Sequence, residues 1–255
     1  MAVLEIEHLE VRIGDKVICN DLELKLESGE ILGVLGRNGV GKTTLLHTIM
    51  NFRTPTTGTI RIQGGELHTL KRQQLAREVG LLFQESDNSM PATVLETILL
   101  GRHPYSENLL WDSEQDVTLC RNTLNLLGLG TMESRQVATL SGGEKQRLAI
   151  ALLLAQSPTV FLLDEPSNHL DIDYQIKVLE LLAQRVKNNS AAMVMASHDI
   201  NLVSRFCDHV LLLLGDGATL TGPTTSIMST ENLEHAFQCR IVHTKVNERD
   251  YFLPD

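Results

Sequence analysis

Gly36-Arg37-Asn38-Gly39-Val40-Gly41-Lys42-Thr43 is the stretch of sequence that decides the fold prediction. It has the pattern G-x-x-x-x-G-K-[ST] and follows the apolar run Ile31 to Leu35, which is typical of a strand buried on both faces. A helix is predicted after it, from about Lys42 to Met50. Glycines let the backbone turn tightly, so that successive N–H groups point at phosphate oxygens, and the helix N-terminus adds its positive dipole end. The stretch therefore predicts a phosphate-binding loop between a strand and a helix.

The side chains at the end of this loop have specific expected roles. Lys42 is expected to bridge the outer phosphates of a nucleotide, the Thr43 hydroxyl to bind Mg²⁺, and Thr44 to help hold phosphate. The alternative is a chance glycine-rich turn, which the strand–loop–helix context disfavours. On its own the loop predicts a bound nucleotide and leaves open what the energy of that nucleotide drives.

A second apolar strand ends in two carboxylates. The run Val160 to Leu163 is followed directly by Asp164 and Glu165. Asp164 suits Mg²⁺, held directly or through water, and Glu165 is placed to polarise the water that attacks a γ-phosphate. For the pair alone, two solvated acids at a strand end would be the better interpretation. The phosphate loop earlier in the chain reverses that preference.

The octet Leu140-Ser141-Gly142-Gly143-Glu144-Lys145-Gln146-Arg147 precedes a long apolar helical stretch. Ser141 and Glu144 have the spacing of a helix capping box, which is a purely structural interpretation. A cap does not need two consecutive glycines, however, and these weaken a helix start by roughly 1 kcal/mol each. Because glycines let a phosphate approach the backbone amides closely, the octet predicts a second anion-binding helix terminus.

Strand and helix patterns alternate around these motifs. Leu9 to Ile13 and Leu22 to Leu26 alternate apolar and charged residues, as strands with one wet face do. Between about 88 and 156 the apolar residues recur at helical spacing instead. Further elements are predicted at Thr59–Gln63, Val79–Phe83, Ala192–Ala196 and Val210–Leu214 (strands) and at about Tyr174–Lys187 (helix). This alternation predicts an α/β fold with a mostly parallel sheet, and the weakly patterned tail is expected only to complete it.

Composition limits the classes of function. A net charge of −10 argues against broad attraction to phosphate backbones, so no nucleic-acid partner is expected. The four cysteines form no C-x-x-C pair, which favours reduced thiols. The longest uncharged stretch, Leu148 to Leu163, is shorter than the ~20 residues that span a bilayer, and the first residues lack the basic start of a signal peptide. Any membrane role is therefore expected to come through a partner.

The octet that begins at Leu140 resembles the signature motif of the ABC ATPases, and it lies between the phosphate loop and the acidic strand, as in that family. Gln84 resembles the Q-loop glutamine, Ser167 to Asp171 resembles the D-loop, and His198 resembles the switch histidine. The motifs occur in the family's order and cover about residues 4–215. A single histidine such as His198 would otherwise be interpreted as an ordinary strand-end residue.

The resemblance implies a specific fold. The expected class is an α/β P-loop NTPase of the ABC ATPase type, with a mostly parallel sheet and an N-terminal antiparallel β subdomain. Residues 1–255 would form a single ATP-binding domain with an inserted helical subdomain at about 86–156.

The resemblance also implies a homodimer. Two such domains would face each other head to tail, with each ATP between the phosphate loop of one subunit and the signature helix of the other. Ser141, Gly142 and Gly143 would then reach the γ-phosphate of the partner's ATP, and Asp171 would contact the partner across the interface. Loss of the γ-phosphate on hydrolysis would release the closed dimer.

The same resemblance assigns catalysis to Glu165, His198 and Gln84, and Mg²⁺ binding to Thr43, Gln84 and Asp164. Gln84 would link the site to the helical subdomain, which is similar to the part that grips a transmembrane permease. The chain would then work at the cytoplasmic face of the cell (inner) membrane, as a peripheral protein. A periplasmic or extracellular solute-binding protein would take part indirectly.

Two positions depart from the family's pattern. The family usually stacks an aromatic residue on adenine in the first hairpin, whereas Ile13 occupies that neighbourhood here. We therefore expect weaker, mostly apolar packing on the base and looser base selectivity. Leu152 stands where many relatives carry Arg, and nothing in the sequence explains its effect.

Softer signals resemble the subgroup that imports iron-siderophores, haem and cobalamin. They are Thr93–Ile98 with Leu100–Pro104, Leu170–Ile172 and His198–Leu202. The alternatives are an importer ATPase for another solute, such as a metal ion or oxyanion, and a non-transport ABC ATPase of translation or DNA repair. The signature octet and the switch histidine disfavour a different phosphate-loop enzyme, and the intact catalytic positions disfavour a decayed site.

Overall fold

The computed structural model describes residues 2–83, 91–106 and 113–255. Its strands in chain order are β1 (Ala2–Ile13), β2 (Lys16–Glu27), β3 (Ile31–Leu35), β4 (Thr57–Ile62), β5 (Gly65–Glu66), β6 (Val79–Leu82), β7 (Val160–Asp164), β8 (Ala192–Ala196), β9 (His209–Leu213), β10 (Thr219–Pro223), β11 (Ile241–Val246) and β12 (Arg249–Pro254). Its α-helices are α1 (Lys42–Ile49), α2 (Arg72–Glu78), α3 (Val94–Leu99), α4 (Glu114–Leu126), α5 (Gly142–Gln156), α6 (Ile172–Asn188), α7 (Ile200–Phe206), α8 (Thr224–Ile227) and α9 (Thr230–Phe237).

The N-terminal strands form an antiparallel sheet with the order β2-β1-β4-β5. In β1 the side chains of Leu4, Ile6, Leu9 and Val11 are buried, and an irregularity of the strand register between Ile6 and Leu9 lets both pairs face the core despite their odd spacing. The strand ends at Ile13, which pairs with the first residue of β2 across a tight turn. The tip of this β1–β2 hairpin therefore projects from the sheet.

The central sheet has the order β10-β9-β3-β8-β7-β6, and its strands are parallel except for the edge strand β10. Strands β3, β7 and β8 are buried along their whole length, as the apolar run Ile31 to Leu35 predicted for β3. Because the carboxyl ends of parallel strands meet at one edge, the loops after these three strands converge. That edge carries the phosphate loop, the acidic pair and the loop before α7.

The described residues between β6 and β7 are largely helical, in agreement with the periodicity of the sequence. Helix α5 packs against α3 and α4, and its buried apolar residues share one core with Phe161 and Leu163 of β7. The predicted α/β class, with a mostly parallel sheet and a separate antiparallel N-terminal sheet, is confirmed. Among the helices in the described ranges, none combines the length and the apolar character needed to cross a bilayer.

The C-terminal segment has more structure than its sequence pattern indicated. Strand β10 completes the central sheet, α8 and α9 follow, and β11 and β12 form a hairpin against α7. The Asn201 side chain both donates to the Phe252 carbonyl, at 3.1 Å, and accepts from the Phe252 N–H, at 2.9 Å. The tail therefore completes the fold through contacts that join distant parts of the chain.

Candidate nucleotide-binding site

The loop between β3 and α1 is held open by glycines. Gly36 has φ +151° and Gly41 has φ +125°, and a Cβ at either position would lie within 2.8 Å of a neighbouring atom. At Gly41 the clash would be with Ile18, whose Cγ2 would lie 2.5 Å away. Gly41 gives the N-terminus of α1 no side-chain cap, so the first N–H groups of that helix are available to an anion. This arrangement fits phosphate groups.

Lys42, the first residue of α1, is almost fully buried at the floor of this loop. Its Nζ donates to the Gly36 carbonyl at 2.9 Å and lies 3.8 Å from Oε1 of Glu165. Burial lowers the pKa of Lys42, and the negative charges of Glu165 and Asp164 oppose that shift. The ammonium group is thus surrounded by acceptors at the N-terminus of α1.

Asp164 ends β7 and is 3% exposed. Burial raises the pKa of its carboxyl, while the Thr43 hydroxyl, His47 and Lys42 act in the opposite direction. A carboxylate beside a threonine hydroxyl is the kind of oxygen donor set that Mg²⁺ prefers. The residues present therefore suit a divalent cation between β7 and the start of α1.

Glu165 and His198 lie at the ends of neighbouring strands. Glu165 has φ +51°, its N–H donates to the Ala196 carbonyl at 3.0 Å, and it is 5% exposed. Nδ1 of His198 lies 2.8 Å from Oε2 of Glu165. The His198 side chain is 57% exposed, in contrast to its partner. A buried carboxylate is therefore held by an imidazole that solvent reaches.

These groups share one cleft of about 390 Å³. Its lining comprises Ile13, Lys16, Ile18, Asn38, Gly39, Gly41, Lys42, Thr43, Thr44, Asp164, Glu165, Asn168 and His198. A larger cavity of about 710 Å³, between α4 and Arg185 of α6, contains none of the residues singled out from the sequence. The chemistry expected from the motifs is thus concentrated in the smaller cleft.

Three residues of the predicted loop are not among those lining the cleft. Gly36 lies close to the Leu213 backbone, the Val40 side chain is buried, and Arg37 donates to the Gln238 side chain at 2.6 Å. Their expected contacts to phosphate would therefore be made by the backbone. Gln84, predicted to act in catalysis and metal binding, lies outside the described residues.

The signature residues lie on a different surface. The predicted capping box is present, since Ser141 Oγ accepts from the Glu144 N–H at 3.3 Å and Glu144 Oε2 accepts from the Ser141 N–H at 2.7 Å. Ser141, Gly143 and Asp171 line a separate cleft of about 300 Å³, and Gly142 lies beside His169. Among the clefts formed by the described residues of one protomer, the phosphate loop and the signature helix therefore line different ones.

Two glutamines to which the sequence analysis assigned no role hold the loop that joins the two clefts. Gln146 Nε2 donates to the Pro166 carbonyl at 3.2 Å. Gln175 Nε2 donates to the Ser167 carbonyl at 3.2 Å and to the Leu170 carbonyl at 2.9 Å. Gln146 is part of the signature octet, but Gln175 has no local signal in the sequence, because its partners are backbone carbonyls that any residue offers.

Comparison with known proteins relates this geometry to a family. The family model described as ABC transporter matches residues 19–168. A cobalamin import ATP-binding protein of Halobacterium salinarum is 31% identical over 238 residues, which are 93% of this chain and 59% of the length of that protein. A petrobactin import ATP-binding protein of Bacillus anthracis is 33% identical over 240 residues, covering 93% of this chain and 88% of that protein.

A solved structure shares the whole architecture. It is a chain of an ABC transporter assigned to the metal-chelate type, in an inward-facing conformation. The TM-score is 0.85 at 27% identity, and the match covers 100% of this chain and 98% of the other. The matched family model ends just after the acidic pair, and the structural match extends through the C-terminal hairpin. This chain belongs to the ABC transporter family.

Proposed function

We propose that this chain is an ATPase that energises import of a metal chelate, of the iron-siderophore, haem or cobalamin type, through a separate transmembrane permease. The observation that carries the proposal is the convergence of Lys42, Asp164, Glu165 and His198 on one cleft, with Lys42 Nζ 3.8 Å from Glu165. Hydrolysis of a phosphoanhydride needs a cation that binds the phosphates, a carboxylate that binds the metal ion and a general base, and these side chains can supply all three.

The chemistry follows from the positions of these side chains. Water attacks the γ-phosphorus, and the bond to the bridging oxygen breaks to give ADP and inorganic phosphate. Glu165 orients that water and takes up its proton, while a His198 Nδ1–H donated to Oε2 holds the carboxylate in one orientation. Lys42 balances the charge of the outer phosphates. Thr43 and Asp164 would hold Mg²⁺, which neutralises phosphate oxygens when bound.

The separation of the two clefts supports a head-to-tail homodimer. Each protomer carries the phosphate loop in one cleft and Ser141, Gly143 and Asp171 in the other. A second copy in the reverse orientation would place its signature helix over the phosphate loop, and two complete sites would form. ATP would thus close the dimer from both sides.

An aromatic surface supports a permease partner. Phe52 and Phe83 are 56% and 44% exposed, stack with their rings 6.2 Å apart, and both contact the ring of His47. Large aromatic side chains exposed together are unusual on a protein surface and mark interaction sites. Phe83 is the residue at which the chain leaves β6 towards the helical segment, so a permease segment bound there would contact both parts of the chain.

The names of the two relatives and the type of the structural neighbour support the cargo class. The chain would act at the cytoplasmic face of the membrane as a peripheral subunit, and a periplasmic or extracellular solute-binding protein would contact the permease. The less specific motifs at Thr93–Ile98 and His198–Leu202 also favour an importer of this class.

The test is a pull-down from detergent-solubilised native membranes with the Glu165→Gln chain and Mg-ATP, followed by mass spectrometry. We expect a multi-span permease in stoichiometric amount, and its binding protein can then be assayed for the chelate. Glu180→Gln is the matched control, because Glu180 is exposed on α6 and pairs with Arg205. Recovery of ribosomal or DNA-repair proteins without a permease would contradict the importer function.

A further inference from the structure

The loop that carries His198 is held by the central sheet at one end. It comprises residues 197–199, between β8 and α7. At its start Ser197 is buried and its N–H donates to the Val34 carbonyl at 3.1 Å, so the sheet determines where the loop begins. The His198 ring is more than half exposed, and burial therefore does not hold it in place. Its position beside Glu165 depends as well on where the loop ends.

The other end of the loop is the start of α7. Asp199 is the N-cap of this helix, and its Oδ1 accepts from the N–H groups of Asn201 at 2.8 Å and Leu202 at 3.0 Å. These bonds tie the loop to the first turn of the helix. Because α7 has only seven residues, it is too short to be stable by itself, and contacts with other elements determine its position.

The two sides of α7 are packed differently. On the inner side a Cβ at Gly33 of β3 would collide with Val203 and lie 3.0 Å from Sγ of Cys207, so the helix rests directly on the strand. On the outer side a cavity of about 560 Å³ lies between α6, α7 and the turn of the C-terminal hairpin. An exposed ion pair between Arg205 and Glu180 joins α7 to α6 there, and such surface pairs contribute little to stability.

The C-terminal hairpin supplies the stronger contact on this outer side. The Asn201 amide donates to the Phe252 carbonyl at 3.1 Å and accepts from the Phe252 N–H at 2.9 Å. Phe252 is itself buried, and its ring stacks on that of His243, so the hairpin offers a fixed partner. Two parallel hydrogen bonds set the orientation of the helix as well as its distance from the hairpin.

We propose that Asn201 is a positioning residue for hydrolysis, through which the C-terminal hairpin holds the His198 imidazole against Glu165. None of the described residues of α7 or of the hairpin lines the nucleotide cleft, so this contact acts on the rate of hydrolysis and not on nucleotide binding. A displacement of about 1 Å at a reacting group can lower a rate on the order of 100-fold. The inference rests on the proposed ATPase activity and gives the tail a role beyond completing the fold.

The experiment measures single-turnover phosphate release by the Asn201→Ala chain, and Mg-ATP affinity by calorimetry in the Glu165→Gln background. We expect the rate constant to fall about ten-fold, while the dissociation constant stays within about two-fold. In a His198→Ala background Asn201→Ala should have no further effect, because the ring that it positions is already absent. Asn201→Asp keeps the shape and the bond from the Phe252 N–H but loses the donated bond, and it should also lower the rate constant.

Asn232→Ala is the matched control. Asn232 also donates to a backbone carbonyl, that of Ile227 at 3.0 Å, but this bond joins α8 and α9 and does not involve α7. The control should keep the parental rate constant, and thermal melts should show that each variant is folded. An unchanged rate in the folded Asn201 variants, or an equal loss with and without His198, would overturn this inference alone. Absence of hydrolysis by the parental chain would contradict the proposed ATPase activity itself.

Discussion

Nδ1 of His198 lies 2.8 Å from Oε2 of Glu165, although the two residues follow different strands of the central sheet, β8 and β7. The carboxylate is buried, whereas the imidazole is more than half exposed. A group that binds at the exposed face of the ring would therefore act on the carboxylate through one hydrogen bond. This contact joins the surface of the protomer to its expected catalytic base.

Glu165→Gln should abolish hydrolysis while retaining nucleotide binding. The amide keeps the size of the side chain but cannot accept a proton from water, and loss of a general base costs about 10²–10⁴-fold in rate. Phosphate release should fall by at least ~100-fold, and light scattering should detect a stable dimer with Mg-ATP. Glu180→Gln, on the exposed face of α6, should retain the parental rate. Hydrolysis by the Glu165→Gln chain at the parental rate would remove Glu165 from its assigned role.

His198→Ala should also slow hydrolysis by ~100-fold or more, because it removes the hydrogen bond that orients the carboxylate. Residues that act as a unit show strongly non-additive effects. The double variant with Glu165→Gln should therefore be no slower than Glu165→Gln alone, as measured by single-turnover phosphate release. Additive losses would indicate that His198 acts independently of Glu165.

The sequence predicted the parts of this site that depend on local pattern. The phosphate loop and the acidic pair were found because a buried strand precedes each, and parallel strands bring their carboxyl ends to one edge. The contacts that fix the site were not predicted. Arg37 donates to the Gln238 side chain, and Lys16 donates to the Gly39 carbonyl. These residues are far apart in the chain, and no motif or regular spacing links them.

The C-terminal hairpin illustrates a second reason for a missed element. Ile241 and Phe252 are buried, but the opposite face carries Val242, Val246 and Leu253, which are about half exposed. Apolar residues on both faces remove the alternation that marks a half-buried strand. The sequence pattern therefore did not predict this hairpin.

Asp164→Asn should stabilise the nucleotide-free protein at neutral pH while weakening Mg²⁺ binding. Burial raises the pKa of Asp164, so the folded state binds the proton more tightly than the unfolded state does. Stability from this group is therefore present below the ordinary pKa of 3.8 and is lost as pH rises through the folded-state pKa. Removing the buried charge should raise the unfolding free energy by about 1 kcal/mol at pH 7, or about 2–4 °C in Tm.

The measurement is thermal unfolding of both chains without nucleotide, at pH 7 and at lower pH. The gain from Asp164→Asn should shrink as the pH approaches 3.8, because the parental carboxyl is then protonated. Asp173→Asn is the control, since Asp173 is exposed and pairs with Lys177 on the same helix. If Asp164→Asn instead lowers the unfolding free energy at pH 7, the interactions of the carboxylate with Thr43, His47 and Lys42 contribute more stability than its burial costs.

Phe52→Asp should prevent permease binding without changing the intrinsic ATPase rate. Phe52 is stacked on Phe83 at the surface and does not line the nucleotide cleft. A charge there would be buried against an apolar partner, which typically costs a few kcal/mol. The permease recovered in the pull-down should fall at least ~100-fold, whereas Val246→Asp, at an equally exposed position, should have no effect. Equal recovery with both variants would exclude this surface.

Mixed dimers test whether the two clefts complete each other across protomers. Lys42→Ala disables the phosphate loop, and Ser141→Arg blocks the cleft of the signature helix, so each homodimer has two broken sites. In an equal mixture, half of the dimers contain one chain of each kind. A head-to-tail heterodimer then has one intact site and one doubly broken site, so roughly a quarter of the parental activity should return.

Lys42→Ala mixed with Glu165→Gln is the matched control for this rescue. Both substitutions fall in the same cleft, so either orientation of the heterodimer leaves each site with one defect. Phosphate release should therefore stay at the background of the single variants. Activity that returns in the first mixture and not in the second would show that each site is shared between protomers. A site contained within one chain would be rescued in neither mixture. Rescue in both would indicate exchange with active parental protein, which mass spectrometry of the mixtures detects.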